Sequence, residues 1–150
     1  MTDRARLNHV GFTVSVLDAP IAWLIEAFDF KLTSRAARPP GLAQALTGVE
    51  GAEVEIAFLE IDGLVLELIR YHSPDRRHDA LPDPATLAAA HVALTVPDIE
   101  SAIDDAQRHG VRVLGDIVTV PAGPNRGGRL AYLCHPAGVF VELIQPQRND

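Results

Sequence analysis

Apolar and small or polar residues alternate through His9, Val10, Gly11, Phe12, Thr13 and Val14, and the alternation returns in His91, Val92, Ala93, Leu94, Thr95 and Val96. A period of two marks a strand with one face buried, so strands are predicted over 7–16 and 89–96. After the first strand, Asp18 is placed to cap a helix with Pro20 in its first turn, where a missing amide hydrogen does no harm. Its apolar stripe is Ile21, Leu24, Ile25 and Phe28. After the second, Asp98 caps a helix with the stripe Ile99, Ala102, Ile103 and Ala106, ended by Gly110. Further strands are predicted over 30–35, 52–61, 64–71, 111–120, 129–134 and 139–145. Asp62-Gly63 turns one hairpin, and Arg38-Pro-Pro-Gly41 breaks the strand before it.

The pattern is one unit written twice. The two histidine segments share four of six residues at an offset of 82. Gly63-Leu-Val-Leu-Glu67-Leu-Ile69 is echoed by Gly138-Val-Phe-Val-Glu142-Leu-Ile144, and Ala57-Phe-Leu59 by Ala131-Tyr-Leu133. Each unit reads β-α-β-β-β, over about 7–71 and 89–145, joined by a proline-rich and charged stretch over 72–86. A repeat of this kind implies two similar modules sharing one core, so the 150 residues are expected to form a single domain.

The repeat also carries the chemistry. Val65, Glu67 and Ile69 share one strand face and Leu64, Leu66 and Leu68 the other, so a carboxylate is set in an apolar strand. Burying it ionised costs several kcal/mol unless it is paired or bound to a metal. Glu142 has the same setting between Phe140 and Ile144. His9 shares its face with Gly11, Thr13 and Ser15, and His91 with Ala93 and Thr95, which leaves room for a ligand. His9, Glu67, His91 and Glu142 are therefore the candidates for one central site.

Composition removes several alternatives. A formal charge of -7 disfavours nucleic acid and anionic membrane surfaces as partners. No apolar run reaches the roughly 18 residues of a bilayer span. The opening MTDRARLN lacks the apolar core of a signal peptide, and Cys134 as the single cysteine rules out an intrachain disulfide. A cytoplasmic protein with a small-molecule substrate is expected. Cys134-His135 is not read as a nucleophilic pair, because adjacent strand residues point to opposite faces. His72, His78 and His109 are expected to be exposed in linker or helix-end positions.

With a histidine on the first strand and a glutamate on the last strand of two tandem modules, the chain resembles the vicinal oxygen chelate superfamily, which includes glyoxalase I, bleomycin-resistance proteins and extradiol dioxygenases. The resemblance covers roughly residues 7 to 145. It implies an α+β fold in which two β-α-β-β-β modules form a curled mixed sheet around one divalent metal ion, often in a homodimer. His9, Glu67, His91 and Glu142 would be the ligands, and Glu142 and Glu67 the catalytic carboxylates. Mixed nitrogen and oxygen ligation suits Ni, Co, Zn, Mn or Fe.

All four positions being occupied as His/Glu/His/Glu, the chain looks most like bacterial glyoxalase I, with methylmalonyl-CoA epimerase as near neighbour. Glyoxalase I of this pattern has an arginine four residues after the first histidine, where this chain has Thr13. Glu55 aligns with the epimerase's base on the third strand. Arg126 and Arg129, flanking Gly127-Gly128, are candidates for gripping a substrate carboxylate or phosphate, and Glu55 is a further candidate at the substrate site. The expected function is a metal-dependent isomerase or lyase. The alternatives are a small-molecule sequestering protein, favoured less by four intact ligand positions, and an Fe(II) ring-cleaving dioxygenase, disfavoured by Glu67.

Overall fold

The structure, a computed structural model, describes residues 5–76 and 83–148. The chain forms two compact units, residues 1–77 and 78–150. In the first, β1 (Val10–Thr13), α1 (Asp18–Phe28), β2 (Lys31–Ala37), α2 (Leu42–Thr47), β3 (Glu53–Ile61) and β4 (Leu64–Ser73) follow in order. In the second come β5 (His91–Thr95), α3 (Ile99–Arg108), β6 (Arg112–Thr119), β7 (Arg129–His135) and β8 (Val139–Gln145). The sheet orders are β1-β4-β3-β2 and β5-β8-β7-β6, with the first pair parallel and the others antiparallel. Both units are thus the predicted β-α-β-β-β module, an α+β arrangement of two mixed four-stranded sheets. The short α2 is an addition that the chain pattern did not signal.

Each sheet buries one face under its helix. In unit 1, Phe12, Val14, Ala57, Leu59, Leu66 and Leu68 are buried, as are Pro20, Ile21, Trp23 and Leu24 of α1. In unit 2, Val141, Leu143, Ala131 and Leu133 are buried, with Ile99, Ala102, Ile103 and Ala106 of α3, which packs on β6, β7 and β8. Each such aliphatic side chain contributes about 1.5–3 kcal/mol on burial. The α1 stripe differs in part from the sequence reading: Ile25 and Phe28 are half-buried, and Trp23, in edge contact with Phe28, is fully buried.

Helix starts also differ. Asp98 accepts a hydrogen bond from Ser101 N at 2.8 Å, the cap expected of it. Asp18 does not cap: Leu17 is the N-cap residue, Asp18 is the first helical residue, and its carboxylate turns to Arg35 instead. His72 lies within β4 and is exposed, whereas His109, beside the end of α3, is half-buried; His78 lies outside the described residues. No described helix is long and apolar enough to cross a membrane.

The hairpin turns follow the expected chemistry. Asp62 and Gly63 both take positive φ, 47° and 80°, as a two-residue turn between twisted strands requires. In unit 2 the β7–β8 turn is organised by His135, which is 2% exposed. Its Nδ1 accepts from Ala137 N at 3.0 Å, and its carbonyl accepts from Gly138 N at 2.9 Å. Burial, with a smaller contribution from nearby His109, lowers the His135 pKa to about 4.

In the unfolded chain this imidazole titrates near 6.5. The neutral side chain's contribution to stability is therefore complete above about pH 6.5 and is lost as pH falls from there toward 4, by about 3 kcal/mol in all. Denaturant midpoints between pH 7 and 4 are expected to fall less steeply in His135→Asn, whose amide oxygen can still accept from Ala137 N, than in the parent. Parallel pH profiles of the two proteins would show that His135 does not carry the dependence.

Candidate metal centre

Register places one histidine and one glutamate together in each unit. In the parallel pair β1·β4, Gly11 stands opposite Glu67, and in β5·β8, Ala93 stands opposite Glu142. In both, the histidine is two residues before the residue facing the glutamate, on the same sheet face. His9 Nε2 lies 3.2 Å from Glu67 Oε2, and His91 Nε2 lies 3.2 Å from Glu142 Oε2. The glutamates are 12% and 24% exposed at their side chains, less than the histidines at 36% and 43%. The carboxylates thus sit deeper in each pair.

Neither contact has hydrogen-bond geometry, so the two polar atoms of each pair lie side by side rather than pointing at one another. His9 Nδ1 is 2.7 Å from Asn8 Oδ1, which accepts from the ring in the tautomer protonated at Nδ1; in that tautomer Nε2 is the free donor atom for a metal. An outer partner of this kind fixes the orientation of a metal-binding imidazole. Neighbouring ligands about 2.1 Å from a first-row cation in octahedral geometry are separated by about 3 Å. The 3.2 Å pairs match that spacing, and the imidazole-plus-carboxylate chemistry suits a divalent ion. Among the described residues, no group of three or more His, Cys, Asp or Glu side chains is gathered as a metal cluster; each unit presents two donors.

An aromatic ring completes each pair. Phe58 of β3 stands opposite Glu67 and meets the His9 ring edge-on at 5.6 Å; Tyr132 of β7 stands opposite Glu142 and meets His91 at 5.2 Å. These contacts hold the imidazoles against the sheet. Burial and the Glu142 charge keep the Tyr132 phenol above its ordinary pKa, hence protonated. Neither ring was singled out from the sequence, although both lie in the repeated Ala-aromatic-Leu motif one strand away from the glutamates. The room beside Glu67 depends on Gly11, because a Cβ there would lie 3.1 Å from Glu67 Oε2.

The other candidates lie elsewhere. Glu55 shares its face of β3 with the buried Ala57 and Leu59, opposite to the face of Phe58 and Glu67. It bonds Arg35 Nε at 2.7 Å and lies 3.5 Å from His72 Nε2. The Arg35 hydrogen bond holds its carboxyl below the ordinary range, so it is an ion-pair partner and not a poised base on the Glu67 face. Arg35 also reaches Asp18, tying β2 and β3 to the first turn of α1. Arg129 grips both oxygens of Glu100 in the first turn of α3, likewise on the face away from Glu142. Arg126 is exposed in the loop between β6 and β7, its amide bonded to Gly123 O at 3.1 Å. Thr13 is exposed on the His9 face.

Two mixed sheets of one topology, each with a histidine at the start of its first strand (His9 just before β1, His91 opening β5) and a glutamate on its last, define a class of protein built by repetition around polar donor pairs. The model of the Glyoxalase/Bleomycin resistance protein/Dioxygenase superfamily matches residues 6–142, and the chain belongs to that superfamily. It is 32% identical over 143 residues to a 2-epi-5-epi-valiolone epimerase from an Actinomyces species, across 92% of this chain and 78% of that protein. In structure it is similar to a glyoxalase family protein from Bacillus cereus, with a TM-score of 0.79, 25% identity and 99% of each chain covered. It shares its fold with a glyoxalase I variant from Zea mays, at a TM-score of 0.62 and 21% identity, spanning 95% of this chain and 45% of the maize one.

If Glu55 serves only to anchor α1, Glu55→Gln removes one partly exposed ion pair. Its expected cost is below about 1 kcal/mol in a denaturant melt, with divalent-metal binding unchanged in a competition titration. Loss of metal binding in this variant would return Glu55 to the site.

Proposed function

We propose that the protein is a divalent-metal-dependent isomerase that inverts a carbon centre next to a carbonyl in a small oxygenated substrate, its two units acting as one domain. The observation that carries this reading is the repeat-related pair of donors, His9 with Glu67 and His91 with Glu142, each at 3.2 Å and each set by the same register. These four residues would hold the ion, which when bound supplies Lewis-acid stabilisation of negative charge on substrate oxygens. Ni, Co, Zn, Mn and Fe all accept such a donor set. Similarity to a 2-epi-5-epi-valiolone epimerase supports inversion at carbon over a lyase reaction, and makes a polyhydroxylated cyclic ketone the first substrate class to try.

In this reading a carboxylate removes the proton from the carbon beside the carbonyl, and return of a proton to the other face completes the inversion. Glu142 is assigned as the base and Glu67 as the second catalytic carboxylate. General-base catalysis of this kind contributes about two to four orders of magnitude in rate.

Elemental analysis of protein purified without chelators is expected to give about one divalent ion per His/Glu/His/Glu set. The reconstituted protein is then incubated in D2O with polyhydroxylated cyclic ketones, and separately with thiohemiacetals, acyl-CoA esters and catechols. Deuterium entering beside a carbonyl marks the substrate. Glu142→Gln is expected to keep metal and lose turnover by ~10² or more. Near-normal turnover in Glu142→Gln, with Glu67→Gln metal-loaded and inactive, would move the base to Glu67. Absence of tight binding by all five metals would overturn the proposal.

The same reading includes a homodimer, the assembly common in this superfamily. Sedimentation at micromolar concentration is expected to give a species of twice the chain mass; a monomer throughout would contradict it.

A further inference from the structure

Three arginines of the described residues are half-buried: Arg38, Arg70 and Arg129. Arg70 lies 3.6 Å from Asp75 Oδ1 and donates to Tyr71 O, and Arg129 is bound by Glu100. Among the described residues, Arg38 makes no ion pair with a carboxylate. Its guanidinium carbon stands 5.8 Å from the centre of the Phe58 ring, the ring that meets His9 edge-on. A cation over an aromatic face is favourable but leaves its N–H donors unused at the ring. In a chain of formal charge -7, a partly desolvated cation without a counter-charge is a cost that a bound anion would relieve.

The surroundings are shaped to admit one. Arg38 lines a cavity of about 300 Å³ with Ala37, Pro39, Pro40, Val54 and His72 among its walls. That volume is at the small end of ligand sites. The backbone of Arg38 is fixed by a 2.9 Å bond from its amide to Val54 O, and two prolines follow it, so little chain freedom is lost on binding. His72, whose Nε2 lies 3.5 Å from Glu55, also lines the cavity and is 51% exposed at its side chain. Glu53 also lines the cavity, but its side of the wall is exposed to solvent.

We infer that Arg38 is an anion-binding residue, which takes an anionic oxygen group of a ligand, a phosphate or a carboxylate, at this cavity. Anion binding here stands independently of the proposed function. Arg38 would orient the ligand's charged end. A planar guanidinium offers the two parallel donors that such a group accepts.

Inorganic phosphate and malonate, each titrated separately into the full chain, distinguish the two sources. Amide shifts by NMR are expected at Ala37, Arg38, Ala43 and residues 52–54, saturating at roughly millimolar concentration. Arg38→Met keeps a stem over Phe58 and is expected to weaken binding at least about tenfold; Arg38→Lys keeps the charge without the fork and is expected to fall between. Response to phosphate alone, or to malonate alone, supports the inference and names the group. No shifts with either ion, or equal binding in Arg38→Met, overturns it. If Arg38→Met does not fold, the shift map of the parent and the affinity of Arg38→Lys decide. Metal content measured on the same samples separates the two readings: anion binding without metal removes the proposed function and leaves this site standing.

Discussion

Parallel pairing of the first and last strand of each unit is the constraint on which the candidate site depends. It fixes Gly11 opposite Glu67 and Ala93 opposite Glu142, and so brings each histidine, two residues earlier, beside its carboxylate. A shift of one residue in either pairing would send every side chain of that strand to the other face. The register is held by burial: Leu66 and Leu68, and Leu143 and Val141, are wholly enclosed beneath the helices, and a slip would expose them. The same hydrophobic energy that forms the sheet therefore aims the polar atoms.

The two faces of each sheet divide the labour. One is covered by a helix, and its polar residues at the periphery are spent on ties: Arg35 to Glu55 and Asp18, Arg129 to Glu100. The other keeps small residues, half-buried donors and an edge-on aromatic, and in unit 1 its far end packs against α2 through Val54, Ile56, Ile69 and Tyr71. Charges on the covered side have their partners inside the fold and little left for a ligand. On the other side, pairs lie close together without satisfying each other, and Arg38 rests on a ring.

Much of this was legible in the chain because repetition removes ambiguity. A glutamate in one apolar strand is a curiosity; the same glutamate returning in the same motif marks a candidate donor in each module. Face assignments for Glu67 and Glu142 follow from a period of two alone. Glu55 was harder, since alternation shows which face it takes relative to Phe58, but only the position of α1 shows that this face is the covered one. Asp18 has the look of a cap, yet Arg35, 17 residues away in sequence, competes for it more effectively than the adjacent amides. The short α2 offers six residues with no side-chain cap, too little periodicity for a pattern to register. Arg38 was visible merely as the start of a chain break; its stacking on Phe58 needs the strand pairing to be known.

The helix ties of the two units show how the halves have drifted apart. Asp18 and Glu100 stand at the same place in the repeat, and both are held by an arginine, but the arginine comes from β2 in one half and β7 in the other. Where β7 carries that arginine, β3 carries Glu55 at the corresponding position. The sign of the charge has inverted while the tether has survived. Descent from a common ancestral module can thus conserve a mechanical link whose residues no longer match. Letter-by-letter comparison of the halves then misses the shared tether, because the arginine that holds the helix has moved from one strand to another.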